Sequence, residues 1–179
     1  LEKNISYKVQ NGVYPSEDTS VLKPGYGETF KEDFTPGEKP LVLSAGNKCF
    51  ITLPDKVKKT VYSAKGVVAV NGSGAVTAKK AGRSTATITL KNGSALSYTF
   101  IVEQPVLPKK KTVVNVGETV KITDLIEGLT YTSPDYFIAN NPDRLYVDPD
   151  GCVTGVKKGS ASVRVFFGAK SYRISFTVS

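Results

Sequence analysis

The stretch Gly151-Cys152-Val153-Thr154-Gly155-Val156-Lys157-Lys158-Gly159 repeats an earlier one, Gly74-Ala75-Val76-Thr77-Ala78-Lys79-Lys80-Ala81-Gly82. The offset, 151 − 74, is 77 residues, and five of the nine aligned positions are identical. An internal repeat of this length is typical of two copies of one small folding unit. The sequence therefore predicts tandem domains.

Beyond the repeat, apolar residues recur at every second position in both copies. The ungapped alignment places Ala86, Ile88 and Leu90 on Val163, Val165 and Phe167. A period of two is that of a strand with one buried face. Seven short strands can be traced in each copy, separated by turn residues, which is typical of an antiparallel sandwich. The predicted fold class is all-β, with two tandem β-sandwiches over residues 41–103 and 104–179.

Residues 1–40 are predicted to form an N-terminal hairpin or linker segment. Ile5, Tyr7 and Val9 alternate as in a half-buried strand, and Asn11-Gly12 is a preferred pair for a two-residue hairpin turn. Prolines and glycines then break any long element. Two interpretations stay open: the tail of a preceding module, or a linker whose aromatic residues dock on the first copy. Those aromatic residues are Tyr26, Phe30 and Phe34.

The two copies are predicted to differ in length after a tyrosine-bearing strand, which lies near Tyr62 in the first copy and near Tyr131 in the second. From that tyrosine to the repeat glycine is 74 − 62 = 12 residues in the first copy and 151 − 131 = 20 in the second. The alignment therefore places eight extra residues within 133–144.

Composition argues against an enzyme. The chain has no His, Met or Trp, so the commonest general base and zinc ligand are missing. No paired carboxylates and no nucleophile motif stand out, so no catalytic residue, cofactor or metal is expected. The net charge of +8 is concentrated in residues 41–103, which carry 9 Lys and Arg against 2 Asp and Glu. No run approaches the length of a membrane-spanning helix.

With these residues in place, the chain resembles the bacterial immunoglobulin-like domains of group 2, which are modules of intimin- and invasin-type surface proteins. The resemblance rests on the run from Val147-Asp148 to Val163 and on its counterpart from Val70 to Ile88, where Ala78 replaces the usual Gly. It covers residues 41–179. The resemblance implies two immunoglobulin-like sandwiches in an exported protein. Tyr62 and Tyr131 depart from it, because the family often has Trp there.

Six residues are candidate ligand contacts. Tyr136 and Phe137 could bind a glycan or protein from a loop at the end of the sandwich, or could cover that end as additional core. Two lysine pairs occupy the same turn in both copies, Lys79-Lys80 and Lys157-Lys158. They could attract polyanions, or they could be solvated strand ends that discourage edge pairing.

Two further residue groups have structural interpretations. Asp143, Asp148 and Asp150, with Asn140 and Asn141, could offer oxygen ligands to calcium. They lack the spacing of a calcium loop, so turn formation is the favoured role. Cys49 and Cys152 fall in different copies and on different strands. We expect both to be small buried apolar residues without a disulfide.

The sequence predicts a non-enzymatic spacer and adhesion module cut from a larger exported bacterial surface protein, located outside the cell. Protein or glycan partners are expected, without nucleic acid or a membrane span in this segment, and the chain is expected to be a monomer. The alternative is an accessory module of a secreted enzyme that binds carbohydrate or cell-wall polymer. A phage tail or fibre domain is a third interpretation.

Overall fold

The computed structural model describes residues 20–23, 29–30 and 39–179. In this part of the chain, fifteen strands form four sheets, and the one helical element is a 3-10 turn. The chain divides into two compact units. Unit 1 comprises Leu1–Gln104 and the short segment Thr130–Thr132, and unit 2 comprises Pro105–Leu129 and Ser133–Ser179. The prediction of an all-β chain with two immunoglobulin-like sandwiches is confirmed.

Unit 1 contains two four-stranded sheets, ordered β2-β8-β7-β4 and β1-β3-β6-β5. Its strands are β1 (Thr29–Phe30), β2 (Leu41–Ser44), β3 (Lys48–Ile51), β4 (Val57–Tyr62), β5 (Val68–Val70), β6 (Ala75–Ala78), β7 (Gly82–Leu90) and β8 (Ala95–Glu103). Alternate residues of both sheets turn inward and form one core. Its fully buried side chains include Leu41, Val76, Ile88 and Phe100.

Unit 2 contains a four-stranded sheet, ordered β11-β14-β15-β9, and a three-stranded sheet, ordered β10-β13-β12. Its strands are β9 (Thr112–Val114), β10 (Thr119–Lys121), β11 (Tyr136–Ala139), β12 (Leu145–Val147), β13 (Cys152–Gly155), β14 (Gly159–Phe167) and β15 (Lys170–Val178). Leu145, Val153, Phe167 and Phe176 are buried in its core. Each unit thus has seven strands of the repeat, β2–β8 and β9–β15, which is the number predicted, although one strand of the second copy lies elsewhere than predicted.

In each unit the first strand of the repeat pairs in parallel with the last. In unit 1, β2 runs beside β8, with Leu41 opposite Phe100. In unit 2, β9 runs beside β15, with Thr112 opposite Phe176. The pairing continues into the turn that follows each first strand. There, the Ala45 amide donates to the Glu103 carbonyl over 2.8 Å, and the Val116 amide donates to the Ser179 carbonyl over 3.0 Å.

Two predictions for the second copy are wrong. One is the strand near Tyr131, and the other is the placement of eight extra residues within 133–144. The strand that matches β4 is β11: Ala139 lies opposite Val163, just as Tyr62 lies opposite Ala86. Ala139 follows Tyr62 by 77 residues, the offset of the repeat itself, so nothing is inserted after it.

The extra residues lie earlier in the second copy. Gly117 follows Gly46 by 71 residues, so six residues are added between Gly117 and Ala139. The 3-10 turn Ile122–Leu125 lies there, and it rather than a strand buries the Ile122 side chain.

The N-terminal predictions are described only in part. Phe30 lies in β1, where its backbone pairs in parallel with Ile51 of β3. The strand predicted over Ile5, Tyr7 and Val9, the Asn11-Gly12 turn, Tyr26 and Phe34 lie outside the described residues. Among the described residues, no helix is long and apolar enough to cross a membrane.

Candidate functional site

Tyr136 and Phe137 lie in a strand, β11, rather than in the loop that the sequence suggested. Successive residues of a strand point to opposite faces of the sheet, so the two rings separate. Tyr136 is 48% exposed on the outer face. Phe137 packs against the core of unit 2 and covers Gly151, where an added Cβ would lie 2.5 Å from the ring. Phe137 therefore has the core role of the two alternatives, and Tyr136 has the exposed position that ligand contact requires, whereas contact itself stays a prediction.

The exposed ring of Tyr136 does not stand alone. Phe166 lies directly opposite it on β14, and the two rings stack with centroids 4.2 Å apart and planes 10° from parallel. Ile138, the next outward residue of β11, is 46% exposed. Together these side chains form an apolar platform on the outer face of the sheet.

Two arginines continue the platform across the sheet. Arg164 of β14 lies opposite both Ile138 and Arg173 of β15, and both arginines are exposed. The Arg173 Nε donates to the Ser162 Oγ over 3.0 Å, and the Asn140 side-chain amide donates to the same oxygen over 2.9 Å. Neither arginine forms an ion pair with any residue that the structure describes. Two like charges directly opposite each other destabilise a sheet.

We call Tyr136, Ile138, Arg164, Phe166 and Arg173 the aromatic–arginine face. The remaining outward positions of β14 and β15 carry hydroxyl groups rather than acids. These positions are Ser160, Ser162, Ser171, Ser175 and Thr177. The face therefore combines apolar ring surface, two guanidinium groups without an acidic partner among the described residues, and outward hydroxyl groups, of which that of Ser162 is buried.

The lysine pairs lie outside this face, in equivalent turns of the two units. Lys79 and Lys80 follow β6, and their amides donate to the Val67 carbonyl over 2.8 and 3.3 Å. Lys157 and Lys158 follow β13, and the Lys157 amide donates to the Arg144 carbonyl over 3.2 Å. All four side chains are exposed. The backbone of these turns is structural, and ligand contact by the side chains stays a prediction.

Of the three acidic residues considered for calcium, Asp148 has a turn role. The Asp148 Oδ1 accepts the amides of Asp150 and Cys152 over 3.0 and 2.8 Å. In unit 1 the Asn71 Oδ1 accepts the amides of Ser73 and Ala75 in the same way. Among the residues that the structure describes, no group of three or more His, Cys, Asp or Glu could hold a metal.

Unit 1 has an open depression of about 550 Å³ beside β3. Phe50, Asp55 and Ser73 line part of it. The Asp55 carboxylate already accepts the amides of Lys56 and Asn92 over 2.7 and 2.8 Å. Because that acid is committed to the turn, the depression is a weaker candidate than the aromatic–arginine face.

The two cysteines differ in burial. Cys49 is buried, and burial raises its pKa to about 12, whereas Cys152 is half-exposed and only partly fits the prediction of two buried residues. At pH 8 only roughly one Cys49 in ten thousand is a thiolate, the form that reacts. We expect maleimide to label Cys152 in the native chain and both cysteines in denaturant. Peptide mapping after a short pulse checks this, and equal native labelling of Cys49 would contradict it.

The sequence identified Tyr136 but not its neighbours. The signal for Arg164 and Phe166 was present, because the inward residues Val163, Val165 and Phe167 already placed the residues between them on the outer face. Ile138 was hidden by the misplaced strand. Its pairing with Arg164 required the true position of β11.

No protein-family model and no curated protein matches the chain. Among solved structures, the chain is similar to a bacterial Ig-like domain containing GH10 xylanase from termite gut, at 14% identity over 38% of this chain and 18% of that one, with a TM-score of 0.35. Domains 4 and 5 of the S-layer protein SbsC match at 16% identity over 83% of this chain and 95% of that one, with a TM-score of 0.30. A tri-modular GH5 endo-β-1,4-glucanase from Bacillus licheniformis matches at 11% identity over 78% of this chain and 37% of that one, with a TM-score of 0.32. The chain thus spans 18% of the xylanase and 20% of a longer SbsC structure.

Proposed function

We propose that residues 41–103 and 104–179 are two non-catalytic modules of a larger exported surface protein, acting outside the cell as spacer and adhesion domains. The observation that carries this proposal is the parallel pairing of the first and last strands in each unit, β2 with β8 and β9 with β15. A spacer has to transmit tension between its ends without unfolding, and this pairing serves that purpose.

The direction of pulling explains why. When neighbouring strands are parallel, tension on the start of one and on the end of the other slides them along each other. The bonds between them are then loaded together rather than opened one after another. In unit 2 these include the bond from the Val116 amide to Ser179 and the bond from the Ser179 amide to the Val114 carbonyl, over 3.1 Å.

The alternative role, an accessory module that holds carbohydrate or cell-wall polymer for a secreted enzyme, needs a contact surface. The aromatic–arginine face of unit 2 is the specific observation that favours it. The two roles are compatible, since one concerns the strands at the ends of each unit and the other a sheet surface.

Substitution of Val116 tests the spacer role. Val116 is the second residue of a turn closed by the Glu118 amide and the Asn115 carbonyl over 2.9 Å, and Gly117 follows with φ 83°. Proline is common at the second position of such a turn. Val116→Pro therefore removes the N–H that bonds to Ser179 and keeps the turn. We expect it to speed the forced unfolding of unit 2 about fivefold, since one hydrogen bond contributes about 1 kcal/mol.

The control is Val116→Ala, which trims the same exposed side chain and keeps the N–H. Single-molecule pulling through the chain ends gives both rates, and unit 1 provides an internal reference in every trace. Equal forced-unfolding rates for the two variants would show that the paired end strands do not bear the load.

A further inference from the structure

We propose that the aromatic–arginine face binds an acidic polysaccharide, with sugar rings packed on Tyr136 and carboxylates held by Arg164 and Arg173. This inference rests on the contact role of unit 2 and not on the spacer role, so the two can fail separately. It names a ligand class for a surface that the sequence located through Tyr136 alone.

The apolar half of the face suits a sugar ring. The stack on Phe166 holds the Tyr136 ring in one orientation, which lowers the entropy lost on binding. The ring stays accessible beside this stack, because Tyr136 is 48% exposed. A tyrosine presents a flat apolar body together with a hydroxyl that can bond to a polar edge. The C–H faces and hydroxyl groups of a pyranose match these two features.

The charged half selects carboxylates. Guanidinium groups bind carboxylates through two parallel hydrogen bonds, with more geometric specificity than a lysine offers. Arg164 and Arg173 stand opposite each other, and no acidic side chain in the described part of the chain offsets their repulsion. A bound carboxylate would relieve it. The hydrogen bond to Ser162 also restrains the Arg173 side chain before any ligand arrives.

The two halves lie within the reach of one or two sugar units. Tyr136 and Phe166 form one outward row, and Ile138, Arg164 and Arg173 form the next. Outward rows are two residues apart along a strand, or about 7 Å, and neighbouring strands are about 4.8 Å apart. A polymer that repeats a ring and a carboxylate in each unit can therefore contact both rows together. Residues 104–179 carry 10 Lys and Arg against 7 Asp and Glu, and this excess of positive charge would also attract such a polymer.

An acidic peptide added as a strand beside β11 is the competing occupant. It would supply carboxylates to the arginines, but it offers no sugar ring to Tyr136. A carboxylate polymer without rings therefore separates the two occupants. Polygalacturonate has both sugar rings and carboxylates. Its methyl-esterified form keeps the rings without the charge, and polyglutamate keeps the charge without the rings.

The experiment measures binding of these three polymers to the full chain by calorimetry. We expect polygalacturonate to bind and the other two to bind at least about tenfold more weakly, because each lacks one half of the contact. Arg164→Gln with Arg173→Gln should weaken polygalacturonate binding at least about tenfold, and Tyr136→Ala about fivefold. The charge-matched control is Lys58→Gln with Lys59→Gln on β4 of unit 1, where the expected change is below about twofold. Thermal melting checks that each variant is folded.

Each other outcome overturns the inference. Absence of polygalacturonate binding would show that the face does not bind an acidic polysaccharide. Equal weakening by the lysine control shows attraction by net charge alone, and equal binding of polyglutamate favours the peptide strand. Unchanged binding by folded Tyr136→Ala removes the stacking contact.

Discussion

Gly74→Ala is expected to destabilise unit 1 by about 3 kcal/mol or more, which corresponds to a loss of more than about 10 °C in melting temperature for a unit of this size. Gly74 has φ 86°, a conformation that costs a residue with a side chain about 1–2 kcal/mol. In addition, an added Cβ would lie 2.2 Å from the Ile51 carbonyl oxygen. That oxygen is backbone of β3, so relief requires the strand to move.

The two contributions can be separated within the same unit. Gly66 has nearly the same backbone conformation, φ 82°, but no atom lies within 4 Å of its added Cβ. Gly66→Ala should therefore cost only about 1 kcal/mol, the conformational part. Chemical denaturation of both variants measures the difference. Equal losses would mean that β3 yields easily and that the close approach at Gly74 has no energetic consequence.

The repeat glycine also explains how much of the fold the sequence could predict. Gly74 and Gly151 both follow a polar turn whose first side chain, Asn71 or Asp148, caps the turn amides. Such local rules act over a few residues and recur with the repeat, so they can be identified from the sequence. The fold class depends on rules of this kind and on the period of two, and it was predicted correctly.

The pairing of strands that are distant in the sequence could not be predicted from such local rules. Tyr131 was matched to Tyr62 because both are aromatic, yet the residue opposite Val163 is Ala139. What determines the strand is the inward alternation of Phe137 and Ala139 against β14, and an alanine gives no strong signal in a sequence. One side chain is weaker evidence for strand position than the constant offset of 77 residues.

The candidate site shows the same limit. Exposure of Tyr136 follows from its own strand, but its stack on Phe166 and the opposition of Arg164 and Arg173 depend on the register of three strands. Register is fixed by the buried face and by the turn lengths. The side chains of the outer face are then brought together as a consequence. A sequence pattern could suggest outward residues there, but not which of them are neighbours.

Glu103 is a second feature that depends on distant parts of the chain. It ends β8 and is only 6% exposed, although a carboxylate is rarely buried without partners. Its Oε1 accepts the Thr130 amide over 2.8 Å, its two oxygens share the Tyr131 amide at 3.1 Å, and its Oε2 accepts the Thr132 amide over 2.8 Å. The Thr132 hydroxyl adds a bond of 2.7 Å. Glu103 thus holds the segment Thr130–Thr132 within unit 1.

Glu103→Ala is expected to remove the acceptor for these three consecutive amides. Bonds to a charged group contribute about 1.5–3 kcal/mol each when measured singly, and they do not add fully within one cluster. We therefore expect unit 1 to lose about 3 kcal/mol of unfolding free energy. Hydrogen exchange at Thr130–Thr132 should accelerate about a hundredfold, since each 1.4 kcal/mol is a factor of ten.

The control is Thr132→Val, which removes the hydroxyl bond to Glu103 and leaves the three amide bonds intact. It should cost about 1.5 kcal/mol, the lower end for a bond to a charged group, and keep the amides of the segment protected. Exchange measured by NMR in both variants separates anchoring of the segment from general loosening of unit 1, because core amides of β7 and β8 report on the latter. Retained protection at Thr130–Thr132 in Glu103→Ala would show that the segment is held by something other than this carboxylate.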